Sequence, residues 1–267
     1  MTSSIPTSPG LPPTLSLQGA IATLTLRRPQ VANRLDLDDL ATLRQLVAQA
    51  ESNPEAQVLL FQAEGRQFCS GFHIGQVSQD TDGQAGVQEG AIRFEALGNA
   101  LEQSRLVSVA LLQGGVYGGG ADLALACDFR MGGPDVRLMV PAARLGVVYY
   151  RGGMQRFVTR LGLQTAKRIL LTAETMEAQA LHHCGYLDHL WTSNEELTVQ
   201  AQALAQRLSH MAPLALQGMK HHLNHIARNT LDERALAQDM ARAAASQDVL
   251  EGARAWHEKR EPRFTGQ

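Results

Sequence analysis

A glycine-rich stretch, Gly114-Gly115-Val116-Tyr117-Gly118-Gly119-Gly120, constrains this chain more than any other segment. It follows the short apolar run VSVALL and leads straight into residues 121–126, which read as a helix. The three glycines at 118–120 let backbone N–H groups come close to a ligand with no Cβ in the way. The start of a helix adds partial positive charge, which suits an oxygen that gains negative charge during reaction. Two other glycine-loop chemistries do not fit. A dinucleotide fingerprint needs G-x-G-x-x-G, and a phosphate loop needs a lysine after its last glycine; here Ala121-Asp122 follow Gly120. A tight strand-to-helix connection with no ligand is the other reading of the run.

Strand and helix signals alternate around this turn. Residues 20–26 (AIATLTL) alternate in strand fashion and close at Arg27-Arg28-Pro29. Residues 36–50 carry apolar side chains at helical spacing behind an acidic start. Residues 58–63 and 107–112 are short apolar runs that read as buried strands, and 92–103 reads as a helix. Residues 65–75 form a glycine-bounded loop, and the polar, Gly-rich stretch 76–90 reads as a mobile segment. From about residue 195 the patterns turn helical, over 197–208, 213–226 and 232–245. This order predicts an α/β fold with crossover connections. It divides into a disordered tail at 1–14, an α/β core at 15–195 and a helical region at 196–267.

With 267 residues, 44% of them hydrophobic, the chain can bury a sizeable core. Its 24 basic and 26 acidic side chains give a net charge of -2, so no overall field or basic stripe points to nucleic acid or an anionic membrane. Cys69, Cys127 and Cys184 lack metal-ligand spacing and read as free thiols of a reducing compartment. With no signal-peptide or membrane-spanning pattern, the expected location is cytoplasmic. His221, His222 and His225 put two histidines at i, i+4 spacing, but no intervening Glu or third ligand accompanies them, and no metal is expected.

Three motifs then occur in order. Gly65-Arg66-Gln67-Phe68-Cys69-Ser70-Gly71-Phe72-His73-Ile74 resembles the loop G-x-x-F-(S/C)-x-G-x-D-(I/L) of the crotonase (enoyl-CoA hydratase/isomerase) superfamily. Residues 113–128 (QGGVYGGGADLALACD) resemble its N-G-x-x-x-G-G-G-x-(E/D)-L-A-x-x-C-D, and 251–264 (EGARAWHEKREPRF) its closing E-G-x-x-A-F-x-E-K-R-x-P-x-F. The likeness runs from about residue 18 to the end.

The resemblance implies a spiral of ββα repeats, with a helical C-terminal region that mediates oligomerisation into trimers, or hexamers as dimers of trimers. It implies an acyl-CoA thioester as substrate, in fatty acid metabolism, with no separate cofactor because CoA is part of the substrate. The backbone N–H groups of Phe72 and Gly119 would form the oxyanion hole, flanked by Gly71 and Gly118. Asp122 falls where many members keep a catalytic carboxylate. Trp256 and Lys259 match positions that hold CoA, often from a neighbouring subunit, and Arg28 is a further candidate for its phosphates.

The chain departs from the family pattern at the second carboxylate. In hydratases a Glu follows the proline of the segment Val140-Pro141-Ala142-Ala143-Arg144-Leu145-Gly146, and that position is Ala142 here. Alanine cannot orient or deprotonate water, so two-carboxylate hydration is not expected. His73 replaces the usual loop Asp. Tyr149 resembles the methylmalonyl-CoA decarboxylase branch; Tyr150, next in the chain, and Ala142 are expected among the substrate-binding residues, with Gly71 and Gly118. The expected reaction is enolate chemistry by a lyase or isomerase, with Asp122 moving the proton and Tyr149 or His73 assisting. Decarboxylation of a malonyl-CoA-type thioester, hydrolysis of a β-diketone C–C bond, and non-catalytic acyl-CoA binding are the alternatives. Each residue also has a plainer role open to it: Asp122 as a helix cap, His73 as a loop hydrogen-bonder, Tyr149 and Tyr150 as packing, and Cys69 as loop filler.

Overall fold

A computed structural model describes residues 9–72 and 81–267, with only the backbone of 81–85. His73 and residues 74–80 of the two expected loop segments lie outside the described residues. The first strand, β1 (Thr14–Gln18), pairs antiparallel with β2 (Ile21–Leu26) across a Gly19 turn. Then β3 (Val58–Ala63), β4 (Val107–Leu112), β6 (Phe129–Gly132) and β9 (His189–Leu190) add in parallel, giving the order β1-β2-β3-β4-β6-β9. A smaller sheet holds β5 (Gly115–Tyr117), β7 (Arg137–Met139) and β8 (Met176–Glu177).

The strand periodicity explains why both faces of the large sheet are covered. In β3 and β4, Leu59, Phe61, Ala110 and Leu112 face one apolar cluster, while Val58, Leu60, Val107, Val109 and Leu111 face another. Alternate side chains of a strand point to opposite faces, so a strand buried on both sides must be apolar throughout. The first cluster packs under α1 (Leu37–Ser52), α2 (Thr81–Gln103) and α3 (Gly119–Ala126). The second is closed by Leu197, Ala201, Leu204, Ala205 and Leu208 of α6 (Asn194–Ser209).

Local chemistry fixes the helix starts. Asp36 caps α1 with a reciprocal capping box, its side chain accepting from Asp39 N–H while Asp39 accepts from the Asp36 N–H. Ser193 caps α6, and Asp232 caps α8 (Glu233–Ala244). The long α4 (Arg151–Thr172) breaks at Gly162, whose φ of 79° is left-handed. α5 (Ala178–His183), α7 (Pro213–Ala227) and α9 (Gln247–Glu258) complete the helices among the described residues. Leu11 N–H bonds to Arg27 O, so the end of the expected tail runs along the close of β2.

The structure adds to two expectations. In the Gly-rich segment 76–90, expected to be mobile, the described residues from Thr81 on are the first turns of α2. Residues 115–117, expected to be part of a turn, are a strand, since Val116 is fully buried and pairs with Leu138.

Candidate active site

The two glycine loops meet. Phe68 and Cys69 N–H both donate to Gly115 O, and Tyr117 N–H donates to Cys69 O at 2.8 Å. An isolated parallel bridge joins Cys69 to Val116, and another joins Leu35 to Phe72. Gly71, at φ 84°, passes so close to the second loop that a Cβ there would lie 2.8 Å from Tyr117 O and 3.3 Å from Gly119 N. Only glycine permits this approach. Gly119 is tight on its other side, where a Cβ would fall 2.4 Å from the Phe94 ring.

Neither Phe72 N–H nor Gly119 N–H has a backbone acceptor among the described residues. Gly71 O, on the peptide that carries the Phe72 N–H, accepts from Leu35 N–H at 2.9 Å. Because a trans peptide sets its C=O and N–H in opposite directions, this bond turns the Phe72 N–H away from Leu35. Gly119 opens α3, where the first N–H groups of a helix have no partner of their own.

Phe72, Gly118 and Gly119 line a cavity of about 200 Å³. Its walls are mostly apolar: Val87, Ala91 and Phe94 of α2, then Val140 to Ala142, Leu145 and Val147 to Tyr150. Ala142 begins a short 3-10 helix on the wall, so the position that would bring a second carboxylate brings a methyl group. Phe94 stacks on Tyr150 at 6.5 Å, and Tyr150 on Tyr149 at 4.6 Å. Burial pushes both phenols well above the ordinary tyrosine range, with the Asp122 charge adding to the shift.

Asp122 does not line this cavity. It is fully buried, with Oδ1 accepting from Arg156 Nε and Oδ2 from Arg156 Nη2, each at 2.7 Å. Tyr150 OH also donates to Oδ2, at 2.8 Å. The carboxylate therefore sits behind the Tyr150 phenol rather than beside the cavity. Arg156 in turn bonds Asn99 and Glu102, and Glu102 also pairs with Arg160 and Arg228. Gly98 leaves the room this requires, since a Cβ there would lie 2.5 Å from Arg156 Nη2. Sequence reasoning missed Arg156, and no motif or spacing in the sequence pairs it with Asp122, 34 positions earlier.

The other expected site residues lie apart. Arg28 is buried, its guanidinium forked onto both oxygens of Asp39 and also donating to Gly10 O. Trp256, 84% exposed on α9, and Lys259, at φ 52° at its end, are not on the cavity wall of this chain. Cys69 is buried in the first loop, and burial pushes its thiol up to about 12. His222 pairs with Asp239 at 3.1 Å, and the His221 and His225 rings lie 4.5 Å apart. Among the described residues no cluster of His, Cys, Asp or Glu could hold a metal, and no helix is long and apolar enough to cross a membrane.

Known proteins share this arrangement of chain. The family described as "Enoyl-CoA hydratase/isomerase" matches residues 16–267. The chain is 30% identical to the Enoyl-CoA isomerase/hydratase fer4 of Mycosarcoma maydis, over 91% of this chain and 92% of that one. It is 24% identical to the mitochondrial Delta(3,5)-Delta(2,4)-dienoyl-CoA isomerase of Dictyostelium discoideum, over 91% and 87%. The crystal structure of an enoyl-CoA hydratase/isomerase family protein from Hyphomonas neptunium superposes with a TM-score of 0.89 at 25% identity, covering 96% of this chain and 98% of that one. A match across nearly the whole length, in sequence and in fold, makes this chain a member of the enoyl-CoA hydratase/isomerase family of the crotonase superfamily.

Proposed function

We propose that the chain is an acyl-CoA isomerase or lyase that stabilises a thioester enolate between the N–H groups of Phe72 and Gly119. The observation that carries this reading is the contact of the two glycine loops at an apolar cavity, with both N–H groups lacking backbone acceptors among the described residues. Fixed donors in a site with little water are worth more than in solution, and loss of one in comparable sites costs ~3 kcal/mol of transition-state stabilisation.

Tyr150 is the group placed to move the proton. Its ring is on the cavity wall and its hydroxyl reaches Asp122. In an isomerisation the α-proton passes to the Tyr150 oxygen as the Tyr150 proton passes to Asp122 Oδ2. The reverse transfer to the γ-carbon completes a double-bond shift with no other reactant. Concerted transfer avoids a free phenolate, which burial disfavours. Asp122 is thereby a positioning residue and proton store acting through Tyr150. Trp256 and an exposed apolar row on α7 (Met219, Leu223, Ile226) suit self-association, as a homotrimer in which α9 would meet CoA held by a neighbouring copy.

A second reading has its own support. Among the described residues no carboxylate lines the cavity, and decarboxylation of a malonyl-type thioester forms the enolate with no base. A thioester panel with mass-spectrometric detection separates the two. Crotonyl-CoA, a 3-enoyl-CoA and methylmalonyl-CoA would be tested with wild type and Tyr150→Phe. A double-bond shift lost in the variant is the expected result. Carbon dioxide release that persists in it would favour the second reading. Unchanged thioesters that still bind would leave an acyl-CoA binder.

A further inference from the structure

We propose that Tyr149 is a positioning residue of the oxyanion hole: its hydroxyl holds and polarises the Gly118–Gly119 peptide, and so aims the Gly119 N–H. The proposal rests on the reading of that N–H as a donor to the thioester oxygen.

Tyr149 OH donates to Gly118 O at 2.9 Å. That carbonyl belongs to the same peptide unit as the Gly119 N–H, and in a trans peptide the two point in opposite directions. A donor on the carbonyl therefore fixes where the N–H points. It also draws electron density toward the oxygen, and hydrogen bonds linked through a peptide strengthen one another, so the N–H becomes the better donor.

Within its own turn this peptide has only a longer bond on its carbonyl, from Ala121 N–H at 3.2 Å, and Tyr149 adds a restraint from outside. Gly118 sits at φ 52° and ψ -123°, and it is followed by Gly119 and Gly120. Glycines impose few limits of their own on the rotation of the peptide between them. The matching peptide in the first loop is held in the same way, with Leu35 N–H on Gly71 O. Both proposed donors thus lie on peptides anchored through the opposite carbonyl, the first by main chain alone and the second by Ala121 N–H at 3.2 Å together with the shorter bond from Tyr149.

Tyr149 is built for this task. Its ring is clamped by stacking on Tyr150 at 4.6 Å and by the edge of Phe157 at 6.0 Å. Gly153, in the first turn of α4, leaves the space, since a Cβ there would fall 2.5 Å from Tyr149 Cε1. Burial keeps the phenol neutral, and its single proton is committed to Gly118 O.

The test uses acetyl-CoA carrying 13C at its carbonyl, and reads the carbonyl stretch by infrared difference spectroscopy on the full chain. Bound to wild type, the stretch moves to lower frequency than in solution; in Tyr149→Phe that displacement shrinks, while Tyr150→Phe keeps it. On the turned-over member of the thioester panel, Tyr149→Phe lowers kcat by about tenfold with KM within about twofold. Incorporation of 3-fluorotyrosine at position 149 keeps the ring and makes the hydroxyl a stronger donor, so the displacement grows; a packing role alone would not produce that, and this arm serves if Tyr149→Phe does not fold. A wild-type displacement unaltered by either change at 149 overturns the proposal and leaves the proposed hole standing. No displacement in wild type overturns the hole, and the proposal with it.

Discussion

At Asp122 the environment decides what a carboxylate can do. Both oxygens are taken up by Arg156, and Oδ2 also accepts from Tyr150, so removing the charge and removing the phenol have different consequences. Asp122→Asn leaves a fully buried guanidinium without part of its counter-charge and is expected to lower unfolding stability by about 3 kcal/mol, measured by urea titration. Tyr150→Phe loses one hydrogen bond, at about 1 kcal/mol of stability, yet lowers kcat/KM on the turned-over thioester roughly a hundredfold. If the phenylalanine variant kept full activity, Tyr150 would not be the proton carrier. The cysteines offer a separate check. With Cys69 and Cys127 thiols pushed up to about 12 by burial, native protein treated with iodoacetamide at neutral pH is expected to be modified first at the partly exposed Cys184, as peptide mapping would show.

Among the elements, α4 ties the site to the core through Arg156, which draws together Asp122 of α3 and Asn99 and Glu102 of α2. Replacement by lysine supplies one ammonium where a five-donor fork is satisfied by three partners. Arg156→Lys is therefore expected to destabilise by about 2–3 kcal/mol and to lower the melting temperature. It also frees Tyr150 to reorient, so activity should fall further than stability alone explains. Gly98→Ala is expected to act the same way from the opposite side, because its methyl group would press on the guanidinium. These elements also show what was legible in the sequence. The strands at 21–26, 58–63 and 107–112 and helices α1, α6, α7 and α8 follow directly from periodicity and caps. The two-residue strands β8 and β9 carry too few residues for any period, and α4 is interrupted by Gly162 and by polar side chains. The motifs located both glycine loops, but no spacing rule could place Arg156 against Asp122, 34 positions earlier. Which way a buried carboxylate faces depends on long-range packing.

Across the whole molecule, the C-terminal segment is fastened by charge. Arg260 is held by Glu251 and Glu258, and Glu251 also accepts from the Arg263 N–H. These bonds hold the Glu251 carboxyl down at about 2, from an ordinary 4.5. A depressed carboxyl contributes its hold fully above the unfolded value and loses it as pH falls through the folded one. The last residues are therefore expected to loosen between about pH 4.5 and 2, seen as faster amide exchange in 260–267 before the β-sheet core yields. Salt should weaken the same contact, since both partners are near solvent.

The fastening of the Phe72 N–H is written entirely in main chain, through Leu35 and Gly71. Besides Val87, Ala91 and Phe94 of α2, the side chains that line the cavity come mainly from one contiguous stretch, residues 140–150, much of it exposed. Such a division separates what must be kept from what can be exchanged. Substitutions along that stretch can bring in a carboxylate at Ala142 or take away a phenol at Tyr150 without disturbing the two loops that press together. A lineage, or an engineer, can therefore change the wall of the cavity at Ala142 or Tyr150 while Tyr149 and the two glycine loops are inherited intact.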